Sequence, residues 1–455
     1  MDNKREGFGS RTAVVLAMAG SAIGLGNIWR FPYIAGEHGG AVFVLVYIFA
    51  TVLVSLPVFV AEVIVGRRSR SNARDAFSVL APENPFWKAI GFLPILIPLL
   101  IAAYYSVIGG WSLEFFYKAL GQTFTHITPD ASTEIFTDFI TNPWLPAVMH
   151  LIFFLACAVV VSHGVKAGIE RFSKITLPIL FVLILLIAVY SLSLPGSKEG
   201  FLYLFKPDFS QLTPRTFAYA LGQSFYSLSL GMGTIITYGS YVNRKENILA
   251  SSAGTAVSDL LFALLAGLAI MPAVFAAGIE PGAGPGLVFQ SIPYIFCKMG
   301  GQLPVLSSIA AILFFFTLII AAMTSLISLI EVGTAFLVEK YRMTRRKAVT
   351  IIFLGCGLGG VFCSMSFGPL SGITVAGKNI FDIFDWTASN VLLLIMAFLV
   401  VLFVGFVMKK ADVRDEFTNG GHLNGYDKAF SIVYFLIKWV APVAVLLIFI
   451  SNFIL

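Results

Sequence analysis

Charge is what this chain has least of. Only 12% of its 455 residues are Asp, Glu, Lys or Arg, about half the share of a soluble globular protein. Cysteine and histidine are scarce too, at 4 and 5. They form no Cys-x-x-Cys or Cys/His spacing, so a zinc centre is not expected. Cys157, Cys356 and Cys363 fall in apolar segments and Cys297 in an external loop, and all four read as small hydrophobes. No Ser/His or paired-Asp constellation at matched depth points to an enzyme, and no organic cofactor is implied. Without large soluble extensions, a receptor or scaffold is disfavoured. No basic helix face and no aromatic-basic interleaving suggests a nucleic-acid partner.

What the chain does have is apolar surface. Hydrophobic residues make up 58% and mean hydropathy is +0.89, more than a soluble chain of this length could bury. At about 20 residues per crossing, eleven segments are long enough, near 12–36, 41–65, 90–118, 145–162, 169–193, 215–241, 248–277, 304–337, 347–365, 383–408 and 430–454. The first is too long for a signal peptide and has no small-residue cleavage site. With no linker or low-complexity stretch, residues 1–455 read as a single integral membrane domain.

Basic residues collect in alternate loops: Lys4 and Arg5; Arg67, Arg68, Arg70 and Arg74; Lys166 and Arg171; Arg244 and Lys245; Arg342, Arg345, Arg346 and Lys347; Lys409, Lys410 and Arg414. The intervening loops are acidic or sparse, as at Asp130, Glu134 and Asp138. The positive-inside rule then places the N-terminus in the cytoplasm. An odd number of spans leaves the C-terminus outside the cell (inner) membrane. The net charge of +6 follows from this arrangement.

The first span contains Ala19-Gly-Ser-Ala-Ile-Gly-Leu-Gly-Asn-Ile-Trp-Arg-Phe-Pro32. Gly20, Gly24 and Gly26 are poor helix residues, and Asn27 and Arg30 are polar at membrane depth. An unpaired backbone group in hydrocarbon costs several kcal/mol, so the cluster predicts a helix broken to face a ligand. The sixth span echoes it, with Gly231-Met-Gly233 after Ser227-Leu-Ser229. Two interrupted spans, each opening a run of five, suggest an inverted repeat of 1–193 and 214–410, with 426–455 as an additional helix. Glycines that serve helix packing are the competing explanation.

Ala321, Thr324 and Ser325 share a helix face at i, i+3 and i+4. The hydroxyls either back-bond to the preceding turn or offer oxygens to a hard cation such as sodium. Asp259 lies within the seventh span, where an ionised carboxylate needs a cation, a proton or a polar cavity. Glu62, Glu114 and Glu331 lie nearer span ends and read as structural hydrogen-bonding groups.

These residues carry a resemblance. Lys4-Arg-Glu6, Gly20 to Pro32, Tyr104-Tyr105, Gly222-Gln223, Ser227-Leu-Ser-Leu-Gly-Met-Gly233, Tyr238-Gly-Ser-Tyr241 and Thr324-Ser325 resemble the neurotransmitter:sodium symporters, in the bacterial amino-acid branch with the leucine-transporter fold. The resemblance implies an all-α, eleven-helix membrane protein with helices 1 and 6 broken. It implies two sodium sites beside a zwitterionic amino acid. The first would use the Ala22 carbonyl, Asn27, Ser227 and Asp259. The second would use the carbonyls of Gly20, Ile23 and Ala321 and the hydroxyls of Thr324 and Ser325. Amides near Leu25 and Gly26 would hold the substrate carboxylate. By the same resemblance Ser21, Ala22, Gly24, Ile101, Tyr105, Tyr226, Ser227, Ser229, Met232, Ser325 and Leu329 complete the substrate site. Arg30 with Asp385 would gate the outside as a water-bridged or direct ion pair above the substrate, and Tyr105 with Tyr226 would form an aromatic lid. Arg5 with Glu339 would gate the inside, next to Phe8.

Departures from the family pattern shape the expectation. Asp259 stands where the leucine transporter has Asn, and its charge could replace the chloride that some relatives need. Ser21 replaces an amide side chain, and Tyr226 replaces the commoner Phe. The pocket residues include no charge, and Met232 can make room for rings, so a hydrophobic or aromatic L-amino acid is expected. Gly168 and Pro178 are either an unwinding point of the fifth span or a loop glycine followed by a proline kink. A twelfth helix is not expected, which leaves the oligomeric state open and the ten-helix core intact. The expected function is sodium-coupled amino-acid import by alternating access, with proton coupling on the same broad fold as the alternative.

Overall fold

The computed structural model describes residues 7–279, 287–300, 304–423 and 425–454. Helices dominate. Arg11–Ala22 (α1) and Gly26–Glu37 (α2) form one span bent by 54°. Ala41–Ser69 (α3), Pro85–Leu120 (α4), Leu145–Ser162 (α5) and Val165–Leu192 (α6) follow. Pro214–Ser227 (α7) and Thr234–Ser240 (α8) flank a second interruption. Ile248–Ala276 (α9), Val305–Tyr341 (α10), Arg345–Met365 (α11), Ile380–Val407 (α12) and Asp427–Phe453 (α13) complete the set. Among the described residues nine helices are each long and apolar enough to cross a membrane, or ten spans with α1 and α2 joined. The one expected span not among these, the sixth at 215–241, is the α7/α8 pair. Its halves are short and carry Arg215, Gln223 and a run of hydroxyls, so length and composition alone do not mark it.

Both interruptions have local causes. Ser10 caps α1 by accepting from the Ala13 amide at 3.2 Å. Helix α1 stops where Ile23 turns extended, at φ −72° and ψ 105°. A wide π-helical turn over Gly26–Arg30 restarts the helix and passes directly into the α-helical part at Phe31, with Pro32 at the junction. In the second pair, Thr213 and Thr216 cap α7 reciprocally. Beyond Ser227 the chain turns left-handed at Ser229 (φ 55°), Gly231 (φ 73°) and Gly233 (φ 72°). A side chain at Gly231 would strike the Leu393 carbonyl, and one at Gly233 the Pro94 carbonyl, so glycine is required at both.

Helix α10 runs along α4, which also packs on α5 and α11; α7 and α8 pack on α3; α1 packs on α9, α10 and α6. Gly66 lets the Ile236 carbonyl of α8 approach the backbone of α3. The interrupted stretches therefore lie inside the bundle, with every residue from Ala17 to Ile28 and from Ser227 to Val242 buried.

Candidate functional site

The breaks in α1/α2 and α7/α8 face each other around a small cavity of about 20 Å³. Ser21, Ala22, Gly24, Gly26, Ile101, Tyr105, Tyr226, Ser227, Ser229, Met232, Ser325, Ser328 and Leu329 line it. Every residue expected to contact substrate is present except Leu25. Its backbone amide instead donates to the Tyr105 hydroxyl at 3.1 Å. Gly24 must lack a side chain, because a Cβ there would meet the Ser325 hydroxyl and come within 2.8 Å of the Tyr105 hydroxyl. Hydroxyls cross-link its walls: Ser21 donates to Ser328 (2.8 Å), while Ser229 and Ser325 donate to the Ser21 carbonyl (2.9 and 3.2 Å).

At one edge stand three of the residues assigned to the first ion site. The Asn27 amide donates to the Asp259 carboxylate at 2.7 Å and to the Ser227 hydroxyl at 3.0 Å. Ser227 in turn reaches both Asp259 oxygens, at 2.8 and 2.9 Å. The Asn27 carbonyl oxygen accepts from the Gly24 amide at 3.1 Å. Asn27 and Asp259 are fully buried. Ala22 lines the cavity next to them. The Asp259 carboxylate and the Ser227 hydroxyl are oxygen donors of the kind a hard cation takes, while Asn27 turns its nitrogen to them and its oxygen to Gly24.

On the α10 side, the Thr324 hydroxyl donates to the carbonyls of Ile23 (3.1 Å) and Ala321 (2.8 Å). Gly20 adjoins it: a Cβ on Gly20 would lie 3.7 Å from the Thr324 Cβ. Gly20, Ile23, Ala321 and Thr324 thus converge, and Ser325 follows one residue on, with its hydroxyl turned to Ser21. The two explanations of the Thr324-Ser325 pair are both visible, since Thr324 back-bonds to Ala321 and also bridges to α1.

Beside the cavity wall, the Arg30 guanidinium lies 4.7 Å over the Tyr226 ring, a cation–π contact. Arg30 and Asp385 make no ion pair within 4.0 Å; Asp385 instead accepts from Ser389 (3.0 Å), which bonds Tyr104 (2.9 Å). Arg5 lies outside the described residues. Its expected partner Glu339 accepts from the Asn72 backbone and side chain at 2.8 and 3.1 Å. Phe8 packs edge-on against Tyr238 and Tyr241. Gly168 sits in a π-helical turn over Val165–Glu170, with α-helix resuming at Arg171 and running through Pro178.

The sequence reading missed four contributors. Ser328 completes the hydroxyl cluster, and its signal was the spacing of three from Ser325. Tyr47 reaches Asp259 at 3.4 Å, and Gln223 holds the Gly26 carbonyl at 2.9 Å. Glu62, read as a span-end group, is fully buried and accepts from the Gly231 amide at 2.7 Å, so it holds the second break open. For Tyr47, which approaches from a different helix, nothing in the local pattern could have revealed it.

The profile of the sodium:neurotransmitter symporter family matches residues 5–137 and 141–455. A sodium-dependent transporter of Haemophilus influenzae is 36% identical over 461 residues, which cover 99% of either chain. The sodium-dependent transporter YhdH of Bacillus subtilis is 37% identical, with 98% of this chain and 97% of YhdH aligned. The crystal structure of MhsT in complex with L-phenylalanine superimposes with a TM-score of 0.89 at 40% identity, over 98% of this chain and 99% of MhsT. Similarity of that extent reaches every element around the cavity, so the chain belongs to the sodium:neurotransmitter symporter family and is a multi-pass, sodium-coupled amino-acid transporter, not an enzyme, on the leucine-transporter fold.

Proposed function

We propose that the protein carries a hydrophobic or aromatic L-amino acid together with two sodium ions, by alternating access and without chloride. The observation that carries this reading is the meeting of Asp259, Asn27 and Ser227 at the edge of an otherwise uncharged cavity. A sodium ion there would face the substrate carboxylate, which supplies a further ligand. The ion thus creates the anion site, and solute binding becomes conditional on the ion gradient. Helix-end amides at the α1/α2 break favour the same negative charge. Asp259 adds the fixed negative charge that balances the ions, in place of chloride. The second sodium belongs at Gly20, Ile23, Ala321, Thr324 and Ser325, where it would tie α1 to α10.

The walls beyond the ion edge are Ile101, Tyr105, Tyr226, Met232 and Leu329. They suit an apolar or aromatic side chain and give an acidic or basic one no partner. That L-phenylalanine occupies the MhsT structure favours the aromatic end of this range. Arg30 over Tyr226, with Asp385 close by, forms the outer gate, and Glu339 with Arg5 the inner one. Eleven spans follow when α7/α8 is counted as one, with repeats at 1–193 and 214–410, an extra helix at 426–455, the N-terminus in the cytoplasm and the C-terminus outside the cell membrane.

Radiolabelled uptake into proteoliposomes, over a panel of amino acids, tests this directly. Uptake should need inward sodium, ignore replacement of chloride by gluconate, and favour Phe, Tyr, Trp or Leu over Asp and Lys. Uptake driven by a proton gradient in the absence of sodium would overturn it in favour of proton coupling.

A further inference from the structure

On the outer wall of the bundle two lysines converge on one set of aromatic rings. At the basic end of α12 and α13, the Lys438 ammonium lies 4.7 Å from the Phe406 ring centre, 5.6 Å from that of Trp439 and 5.9 Å from that of Tyr434. The Lys410 ammonium lies 5.5 Å from the same Tyr434 ring. Two like charges therefore converge on one aromatic side chain. The nearby carboxylates are committed elsewhere: Asp412 and Asp415 to Arg68, Glu416 to Arg67 and Asp427 to Arg414. Neither Lys410 nor Lys438 has a carboxylate within ion-pair distance among the described residues.

The backbone is shaped for this arrangement. The π-helical turns Phe403–Val407 and Leu436–Val440 face each other, and such turns often mark functional sites. Gly405 allows the approach, since a Cβ there would lie 3.1 Å from the Lys438 Cα, and the Tyr434 hydroxyl locks the pair by donating to the Gly405 carbonyl at 3.1 Å. The Lys438 stem is held between rings, so its charge is positioned and not simply snorkelling at random.

We propose that this cage binds the phosphate of an anionic phospholipid, between α12 and α13, in the leaflet facing the basic end of the bundle. A lipid, as opposed to free phosphate, is favoured by what adjoins the lysines. Ile432, Phe435, Trp439, Val443, Leu446 and Ile450 are all exposed and recur at spacings of three or four, so they form one apolar stripe running along α13 past Lys438. An acyl chain can lie on that stripe while its headgroup meets Lys438 and Lys410. Basic pockets between helices recognise headgroups in this way. The orientation proposed above serves only to name the leaflet, which is then the cytoplasmic one.

Native mass spectrometry of the full protein, released from nanodiscs of phosphatidylglycerol and phosphatidylcholine, tests the site. The unaltered protein should retain phosphatidylglycerol in preference to phosphatidylcholine. The double variant Lys410→Gln with Lys438→Gln should lose that preference by roughly ten- to thirtyfold, the factor expected when two near-surface charges are removed. Lys438→Arg should keep it, and Lys347→Gln, at the same end on α11, should not change it. Equal retention of the two lipids by the unaltered protein would overturn the proposal, as would undiminished selectivity in the double variant. Thermal stabilisation by inorganic phosphate equal to that by phosphatidylglycerol would show a free-anion site and overturn the lipid assignment.

Discussion

The Asn27 side-chain amide donates to the Asp259 carboxylate across 2.7 Å, joining α2 to α9 beside the point where α1 is interrupted. Replacing Asp259 by Asn keeps the shape and removes the charge. A charged partner contributes about 2 kcal/mol, or roughly thirtyfold in affinity. Asp259→Asn should therefore weaken sodium-dependent uptake by at least roughly tenfold in chloride-free buffer, and added chloride should recover part of it. A sodium titration of uptake with and without chloride checks this, and an unchanged chloride-free curve would count against the charge-balancing role.

Thr324→Val preserves volume and removes the hydroxyl that bridges Ile23 and Ala321. Half-maximal sodium should rise by roughly tenfold, with the order of amino-acid preference intact. Sodium-driven substrate binding in detergent reports this. A change in side-chain preference with sodium dependence intact would show that Thr324 serves the substrate instead.

Met232 is the flexible wall of the cavity. Met232→Phe should fill the space meant for a ring and shift preference from aromatic residues toward Ala or Val. Competition of the unlabelled amino acids against a radiolabelled substrate measures the shift, and an unchanged order across sizes would remove Met232 from the pocket. Gly24→Ala should go further, because its methyl enters the space of the Ser325 and Tyr105 hydroxyls. Binding of all substrates should fall while the purified protein stays monodisperse.

Beyond the end of α2, His38 stacks on Tyr219 of α7 at 4.1 Å. Burial and the neighbouring Arg215 hold its imidazole below the ordinary value of 6.5, while Glu37 precedes it in the chain. A histidine depressed in the native state takes up its proton first in the unfolded chain. Its contribution is thus complete above pH 6.5 and is lost as pH falls through the lower native value. His38→Asn should flatten the fall in thermal midpoint between about pH 7 and pH 5. Parallel midpoint curves for the two proteins would refute this.

How far the sequence revealed the molecule depended on whether a signal was local. The break at Gly20–Asn27 was legible because glycines and an asparagine in an apolar run have few other uses, and the second break at Ser227–Gly233 followed the same logic. Asp259 announced itself by its cost. Tyr47 and Gln223 did not, because each acts through a partner on a different helix, to which no spacing points. Glu62 was read as an edge group since only the fold brings the Gly231 amide against it. The α7/α8 pair escapes a simple count of apolar helices for the reason that makes it useful: Gln223, Ser224, Ser227, Thr234 and Thr237 are polar and buried within the bundle.

The hydroxyls of Ser21, Ser229, Ser325 and Ser328 bond to one another and to the Ser21 backbone, and Tyr105 occupies the Leu25 amide. A solute that reaches these walls meets dipoles already paired, so each contact it makes must replace one it breaks, and discrimination rests on which solutes return an equal partner.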